Sequence, residues 1–326
     1  SNNGTFIDGQ RSDPVGQGMR IKKSAVGTGG GVGMTYSSSF WVSSETDEGA
    51  LIGIIGDYTQ DMRSGVYGGD TLDSSRIYLV NVDMLDDPEN YTDFQNWPVN
   101  EGAPWVDVDG DGVYSPLPNG TDYPKFYGDR VAFFVSADDD INYKSNMGID
   151  PTHLEFQFIV YSFYRPDVAP SLNNTVFYRV KLINKGTELL RETYAGIWHD
   201  SEIGNASNDL VGVDVDLSMG YAFDDGGDSV ITDYFDGQSV AQGIDLLQGP
   251  MIDCTEDDFI DITLAGSDAN GDNLAYNIRS GPSNGTATFI SQNIVRYTPN
   301  TGFSGNDSFE YDAHDGTDQS NLATVT

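Results

Sequence analysis

The run Asp107-Val-Asp-Gly-Asp-Gly112 has the clearest chemical pattern in the chain. Its carboxylates stand at alternate positions of a tight loop and converge on one point, while Gly112 permits a sharp turn, as in calcium loops of the EF-hand type. Pro118 stands where such loops carry a bidentate acid, so a further ligand must come from elsewhere. The predicted Ca²⁺ ligands are the side chains of Asp107, Asp109, Asp111 and Asp122, the Val113 carbonyl and, through a water, Ser115. The alternative is a plain Asp-Gly turn with hydrated carboxylates.

A second group of oxygen donors follows a predicted strand. Its members are Asp200, Glu202, Asn205, Asn208, Asp209 and Asp214. So dense a set of oxygens predicts a second Ca²⁺ site, with a hydrated acidic loop as the alternative. The acids at 256–258, together with Asp268 and Asp272, are candidates for a calcium site that stiffens a junction between domains.

Patterns that would indicate catalysis are sparse. His153 is predicted to lie in an alternating strand on the face opposite Leu154, which favours a structural role, and His199 beside Asp200 is a candidate general base. The sequence contains neither a Gly-x-Ser-x-Gly nucleophile elbow nor a His-Glu-x-x-His zinc motif. Nothing singles out a pair among the 51 acids for glycoside hydrolysis. We therefore expect a protein that is not an enzyme.

Charge and composition exclude several classes of partner. The formal net charge is −35, with 41 Asp and 10 Glu, so a nucleic acid or an anionic membrane surface is a poor partner. Asp favours turns, caps and metal loops, which indicates many loops that bind hard cations. No run approaches the length of a membrane-spanning helix, so no direct membrane insertion is expected. The single cysteine, Cys254, permits no disulfide within the chain.

The elements that would position these residues are mainly β-strands. In 176–182, apolar or aromatic residues alternate with Arg179 and Lys181, which is the pattern of a half-buried strand. Alternation also runs through 152–164, and further strands are predicted at 40–42, 51–58, 76–82, 130–136, 194–199 and 217–223. One short helix is predicted at 88–95, with Asp87 as its N-cap and Pro88 as its first residue.

A change in composition near residue 250 separates two predicted domains. Beyond the acidic connector at 253–258, strands are predicted at 259–265, 274–279, 286–290, 294–298, 307–312 and 322–326, a spacing typical of a small β-sandwich. We predict an all-β fold with a large β-sandwich-type domain at 1–250, which has long loops, calcium sites and one short helix. A small sandwich at 251–326 follows and is expected to continue beyond the chain end.

The second domain contains the runs DANGDNL at 268–274, SGPSNGT at 280–286, YTPNTGFSGNDSF at 297–309 and DGT at 315–317. It resembles the tandem Ig-like or cadherin-like repeats of large bacterial surface adhesins. The resemblance implies a small Ig-like or cadherin-like β-sandwich that acts as an extracellular spacer. It also implies a Ca²⁺ site in the Asp-rich turn formed by Asp268, Asn270 and Asp272.

The first domain contains the runs NWP at 96–98, GAPWVDVDGDGVY at 102–114, DYP at 122–124, WHDSEIGN at 198–205 and GIDLLQGP at 243–250. In this order, over roughly 40–250, they resemble the N-terminal region of surface proteins exported by the type IX secretion system of gliding and marine bacteria. The resemblance implies an extracellular location on the cell surface. The sorting domain of such cargo is expected beyond residue 326.

Together these features predict a secreted, calcium-stabilised protein of the bacterial cell surface with a structural or adhesive role. Its expected partners are copies of itself, joined by strand addition into a surface filament, or other surface proteins. Glycans are a further candidate. The alternative is the carbohydrate-binding part of a secreted polysaccharide-degrading enzyme, in which exposed aromatic residues stack on sugars. Strand context nevertheless favours core packing for Trp41, Trp97, Trp105 and Trp198.

Overall fold

The structure is a computed structural model, and it describes residues 5–7, 19–21, 32–56, 61–69, 76–143, 149–164, 170–203, 205, 207–215, 217–224, 240–247, 259–266, 272–303 and 305–326. In this part of the chain nearly all regular structure is β-strand. The predicted all-β fold class is therefore confirmed. Two compact units are present, Ser1–Asp245 and Leu246–Thr326.

The first unit is built from antiparallel strands that range from 2 to 14 residues in length. The described strands are β1 (Thr5–Ile7), β2 (Met19–Ile21), β3 (Val32–Glu45), β4 (Leu51–Ile54), β5 (Arg63–Ser64), β6 (Tyr78–Asn81), β7 (Trp105–Val106), β8 (Tyr123–Pro124), β9 (Arg130–Ala137), β10 (Leu154–Ser162), β11 (Val176–Asn184), β12 (Arg191–Ser201), β13 (Asp209–Asp214), β14 (Met219–Asp224) and β15 (Ala241–Asp245).

Strand β3 is the centre of the first sheet. It pairs with β12 along one edge and with β1, β2 and β4 along the other. The serines at 37–39 in its middle are buried. A buried hydroxyl group is stable when it has a hydrogen-bond partner. Ser38 donates to the Trp198 carbonyl oxygen (3.0 Å), and Ser39 donates to the Gly56 carbonyl oxygen.

The second sheet has the order β11-β10-β9-β5, with β6 also paired to β9. One face packs against the first sheet, and their shared core consists of Val42, Ile54, Met62, Phe134, Leu154, Phe156 and Phe158. On the other face, Phe133 and Ile159 pack with Phe94 and Trp97 from the segment between β6 and β9. The first two sheets therefore form a sandwich, and one of its outer faces is covered by a long loop region.

The predicted helix at 88–95 is wrong as one continuous element. The chain forms a 3₁₀ turn, Pro88–Asn90, and one α-helical turn, α1 (Thr92–Gln95), separated by Tyr91 in an extended conformation. Asp87 makes no capping bond to the backbone, because its carboxylate accepts hydrogen bonds from the Asn90 side chain (2.7 and 2.8 Å). Burial of Phe94 holds α1 in place.

A third sheet consists of β13, β14 and β15 in that order. Ala222 of β14 is buried, and the Gln242 side chain of β15 donates to the Thr35 hydroxyl of β3 (2.6 Å). Among the described strands, β13 pairs only with β14, so its outer edge is free. Val211 and Val213 on this strand are 82% and 73% exposed.

The second unit is a two-sheet sandwich. Its strands are β16 (Ile260–Thr263), β17 (Ala275–Ser280), β18 (Gly285–Phe289), β19 (Ile294–Pro299), β20 (Phe309–His314) and β21 (Ala323–Val325). The sheets β16-β19-β18 and β17-β20-β21 share a core around Ile262, Leu264, Val295 and Phe309. Each strand begins and ends within two residues of its predicted bounds.

Candidate metal centre

Strands β7 and β8 join the two ends of the predicted calcium loop. Trp105 pairs with Pro124, and Val106 pairs with Tyr123. The residues that follow Val106 and precede Tyr123 are therefore neighbours in space. This pairing places Asp122 next to the DxDxDG run, although a long loop separates them in the sequence.

The Asp122 side chain is fully buried (0% exposed) and is fixed by the backbone. Its Oδ1 accepts a hydrogen bond from the Val108 N–H (3.0 Å) and its Oδ2 accepts one from the Ser115 N–H (2.7 Å). The Ser115 hydrogen bond is the main cause that lowers the pKa of Asp122; burial opposes it, and the bonds from Val108 and Thr121 add to it. The carboxylate is therefore ionised and held in one position.

Asp107 organises the turn that follows it. Its Oδ1 accepts a hydrogen bond from the Gly110 N–H (2.7 Å), and its Oδ2 accepts one from the Gly112 N–H (2.9 Å). Both glycines have left-handed φ values, 77° and 74°. Only glycine adopts such a backbone at little cost, so the two glycines allow the chain to fold back around Asp107.

Asp107, Asp109 and Asp122 each place a carboxylate oxygen within 4.8 Å of the other two. A hydrogen bond from the Asp111 N–H lowers the pKa of Asp109, but desolvation and the negative charges of Asp111, Asp122 and Asp107 outweigh it and raise that pKa. A bound cation would relieve this repulsion. Ca²⁺ binds oxygen ligands at about 2.4 Å, so oxygens on one ion lie at most about 4.8 Å apart. The donor set fits Ca²⁺ in both spacing and chemistry.

The fourth predicted carboxylate of this loop, Asp111, lies outside the three-carboxylate group. The Asp111 side chain is exposed, and its Oδ1 accepts a hydrogen bond from the Val113 N–H (2.7 Å). Ser115 is half-buried, and its N–H is used by Asp122. Of the four predicted carboxylates, the structure brings together Asp107, Asp109 and Asp122 but not Asp111.

The second predicted group extends from the end of β12 to the end of β13. Asp209 and Asp214 stand at opposite ends of β13, about 17 Å apart by strand geometry. Each carboxylate fixes a turn, since Asp209 accepts a hydrogen bond from the Ile203 N–H (2.9 Å) and Asp214 accepts one from the Leu217 N–H (3.0 Å). Within the described ranges, Asp200, Glu202, Asp209 and Asp214 contribute to no group of three acids that could share an ion. The Asn205 side chain accepts hydrogen bonds from Ser207 (2.8 and 3.2 Å).

The third predicted site is mostly outside the described residues. Asp268 and Asn270 lie there, as do the acids at 256–258. Asp272 is described and exposed. The calcium site expected in this turn stays a prediction.

His199, the candidate general base, lies on β12. Its Nε2 is 3.3 Å from the Gln242 Oε1 and 3.4 Å from the Thr35 hydroxyl. Burial lowers the pKa of His199, while the Gln242 hydrogen bond and the charge of Asp200 act against this shift. Successive residues of a strand point to opposite faces, so Asp200 faces away from the ring. This geometry makes His199 part of a polar contact between the first and third sheets.

The prediction that His153 lies in a strand is wrong. His153 precedes β10 and has a left-handed φ of 58°. Its Nδ1 is 3.0 Å from the Tyr67 hydroxyl. The alternating pattern misplaced it because the pattern runs from residue 152, whereas the strand begins at Leu154.

The tryptophans occupy two environments. Trp97 is buried in the core, and its indole N–H donates to the Pro104 carbonyl oxygen (2.9 Å). Trp41 and Trp198 are half-buried and stack on each other, with ring centroids 6.2 Å apart. Trp105 is half-buried and contacts the edge of Tyr114 at 5.4 Å. Packing contacts therefore engage all four rings.

A family model described as a bacterial Ig domain matches residues 239–326. The second unit is a bacterial Ig domain. Such domains are typical of extracellular or surface proteins. No curated protein and no solved structure matches the chain. Among the described residues, no helix has the length and apolar character needed to cross a membrane.

Proposed function

We propose that the protein is secreted to the bacterial cell surface, where it has a structural or adhesive role. The observation that carries the proposal is the bacterial Ig domain at 239–326. In this scheme the Ig domain is a spacer, and the first unit is the displayed part. The sequence resemblance of the first unit to type IX-secreted proteins supports the same location.

Labelling of intact cells tests the location. An antibody raised against the first unit is expected to label intact cells of the producing bacterium, and added protease is expected to abolish the signal. A cytoplasmic protein of the same cells, probed in parallel, is the control for leakage. Labelling that appears only after the cells are broken would contradict the proposal.

We also propose that Ca²⁺ binds between Asp107, Asp109 and Asp122 and stabilises the first unit. Three carboxylates in one small volume, one of them fully buried, support this. A ligand that binds only the folded state stabilises it by about 2.7 kcal/mol at a hundredfold excess over its Kd. Such a gain corresponds to a rise of several degrees in the unfolding midpoint.

Thermal unfolding in Ca²⁺ and in EDTA tests the site. Ca²⁺ is expected to raise the midpoint of the first unit, and Asp109→Asn is expected to abolish that rise. Asp86→Asn removes an exposed charge outside the loop and is the matched control, which should keep the rise. An identical midpoint for the wild-type protein in Ca²⁺ and EDTA would refute a structural metal.

We further propose that copies of the protein associate through strand edges. In the described part of the chain the outer edge of β13 has no paired strand, and Val211 and Val213 on this strand are exposed, which supports this. An exposed apolar edge strand offers both unpaired backbone groups and a surface that loses water on pairing.

A further inference from the structure

Basic side chains in this acidic chain fall into two groups. Six of those that the structure describes form ion pairs with carboxylates: Arg63, Arg76, Lys185, Arg191, Arg279 and Arg296. Four others, Lys125, Arg130, Arg179 and Lys181, form no ion pair with the acids that the structure describes. With 51 acids against 16 basic residues, cations without an acid partner are unexpected.

Three of these four cations lie on one face of the second sheet. Arg179 and Lys181 alternate with Phe177 on β11 and share its face. Lys125 follows β8, and both Lys125 and Arg179 lie over the ring of Tyr127, at 5.4 and 5.6 Å from its centroid. Arg130 pairs with Ser162 on the opposite face.

Four aromatic rings lie beside Lys125 and Arg179 and form what we name the aromatic platform: Tyr127, Tyr161, Phe163 and Phe177. Lys181 lies two residues beyond Arg179 on the same face of β11. Tyr161 stacks on Phe177 with centroids 5.1 Å apart and an interplanar angle of 11°. Tyr127 contacts Tyr161 at 5.8 Å, and Phe163 meets Phe177 edge-on at 5.7 Å. All four rings are half-buried, so each keeps part of its surface in solvent.

We propose that the aromatic platform and its three cations bind an anionic polysaccharide. The apolar face of a sugar ring packs against aromatic side chains, and a guanidinium or ammonium group pairs with a carboxylate or sulfate substituent. This proposal rests on the adhesive function proposed above and gives its ligand class. A neutral glycan would leave the three cations unused.

The charge of the protein favours an anionic polysaccharide over a nucleic acid as the ligand. Duplex binding depends on many phosphate contacts, and three cations on a chain of net charge −35 supply few. At about 0.15 M salt the screening length is about 8 Å, so charges close to the platform outweigh those farther away. The nearby charges are the three cations and one acid, Asp129, which accepts a hydrogen bond from the Tyr164 N–H (2.6 Å).

Electrophoresis of the full chain through gels that contain a polysaccharide tests the proposal. Gels with polygalacturonate (carboxylated) or carrageenan (sulfated) are expected to retard the protein, and a dextran gel (neutral) is not. The gel that retards more identifies the acidic group. Arg179→Gln with Lys181→Gln is expected to weaken binding about tenfold or more. Phe177→Leu, which keeps apolar volume but removes the ring, is expected to weaken it as well.

A matched control removes the same kind of charge elsewhere. Arg296→Gln lies in the Ig domain and should bind as tightly as the wild-type protein. Melting curves of each variant confirm that it folds. If neither acidic gel retards the protein, the proposed binding site is wrong. It is also wrong if Arg296→Gln weakens binding as much as Arg179→Gln with Lys181→Gln does. Equal retardation by single-stranded DNA also overturns it, since the ligand class would then be wrong. The labelling of intact cells tests the surface location and the gels test polysaccharide binding, so failure of one proposal can be told from failure of the other.

Discussion

Single residues determine the shape of the loop between β7 and β8. Asp122 was predicted as a ligand because the loop lacked a last acid, and the structure places it beside Asp107 and Asp109. The pairing that achieves this, two strands of two residues each, is too short to leave an alternating pattern in the sequence. The grouping of Asp122 with Asp107 and Asp109 was therefore predictable, whereas the strand pairing that closes the loop was not.

Gly120→Ala is expected to destabilise the first unit by about 3 kcal/mol. A Cβ at Gly120 would overlap the Ser115 carbonyl oxygen, which accepts a hydrogen bond from the Asp122 N–H (3.0 Å). Gly196→Ala on β12 is the control, because a Cβ there meets nothing within 4 Å, and its cost should stay below about 0.5 kcal/mol. Urea unfolding measures both. Equal changes in the free energy of unfolding for the two variants would contradict this prediction, because they would show that the loop shifts to accommodate the added methyl group.

Asp307 is expected to make the Ig domain sensitive to acid. Burial raises the pKa of Asp307, but hydrogen bonds from Ser283, Asn284, Ser308 and Tyr297 outweigh it and hold that pKa below its usual value. A folded pKa below the unfolded one gives stability above about pH 4 that is lost as the pH falls through the folded pKa.

Melting curves of the Ig domain between pH 6 and pH 2 measure this effect. The midpoint is expected to fall with pH, and Asp307→Asn should flatten that fall. Asp318→Asn, an exposed acid of the same domain, serves as the control and should leave it unchanged. A fall that is as steep in the Asp307 variant as in the wild-type protein would count against this role.

Elements were predictable where burial alternates along them. The six strands of the Ig domain and β11 were found in this way because one face of each is apolar. The prediction for β3 covered only 40–42, since the serines at 37–39 resemble a loop although they are buried and hydrogen-bonded. Strands β13 and β15, none of whose side chains is fully buried, were missed. Nothing in the sequence indicated that Tyr127 lies beside β11, which is a tertiary contact.

Val213→Lys is expected to reduce self-association without loss of stability. The side chain is 73% exposed on β13, whose outer edge pairs with no other strand that the structure describes, so a charge there costs little in the monomer but opposes pairing of strands. Ile141→Lys, at an exposed position in a 3₁₀ turn, is the matched control and should associate as the wild-type protein does. Sedimentation velocity at high protein concentration, with Ca²⁺ present, measures association. A monomeric wild-type protein under these conditions would contradict the edge-strand proposal.

The whole molecule carries far more negative than positive charge. With a net charge of −35, the acidic side chains of the folded protein repel one another. The ion pairs that the structure describes neutralise only a small part of that charge. This excess limits self-association at low ionic strength. The same excess of negative charge strengthens the binding of cations to acidic loops.

Added salt is expected to raise the unfolding midpoint by several degrees between about 0.01 and 0.5 M NaCl at pH 7, because screening weakens the repulsion. Near the sequence pI of about 4.1 the same salt should have little effect. Differential scanning calorimetry measures both conditions. A midpoint that falls with salt at pH 7 would indicate that attractive ion pairs outweigh the excess charge.

The pairing of β7 with β8 makes the proposed Ca²⁺ site measurable by luminescence. Trp105 lies on β7, two residues before Asp107 and therefore about 7 Å away along an extended backbone. Terbium takes the place of Ca²⁺ among carboxylates and emits green light when a nearby indole absorbs ultraviolet light. With Trp105 as the built-in antenna, luminescence would report occupancy of this one loop in the intact protein, without any attached dye.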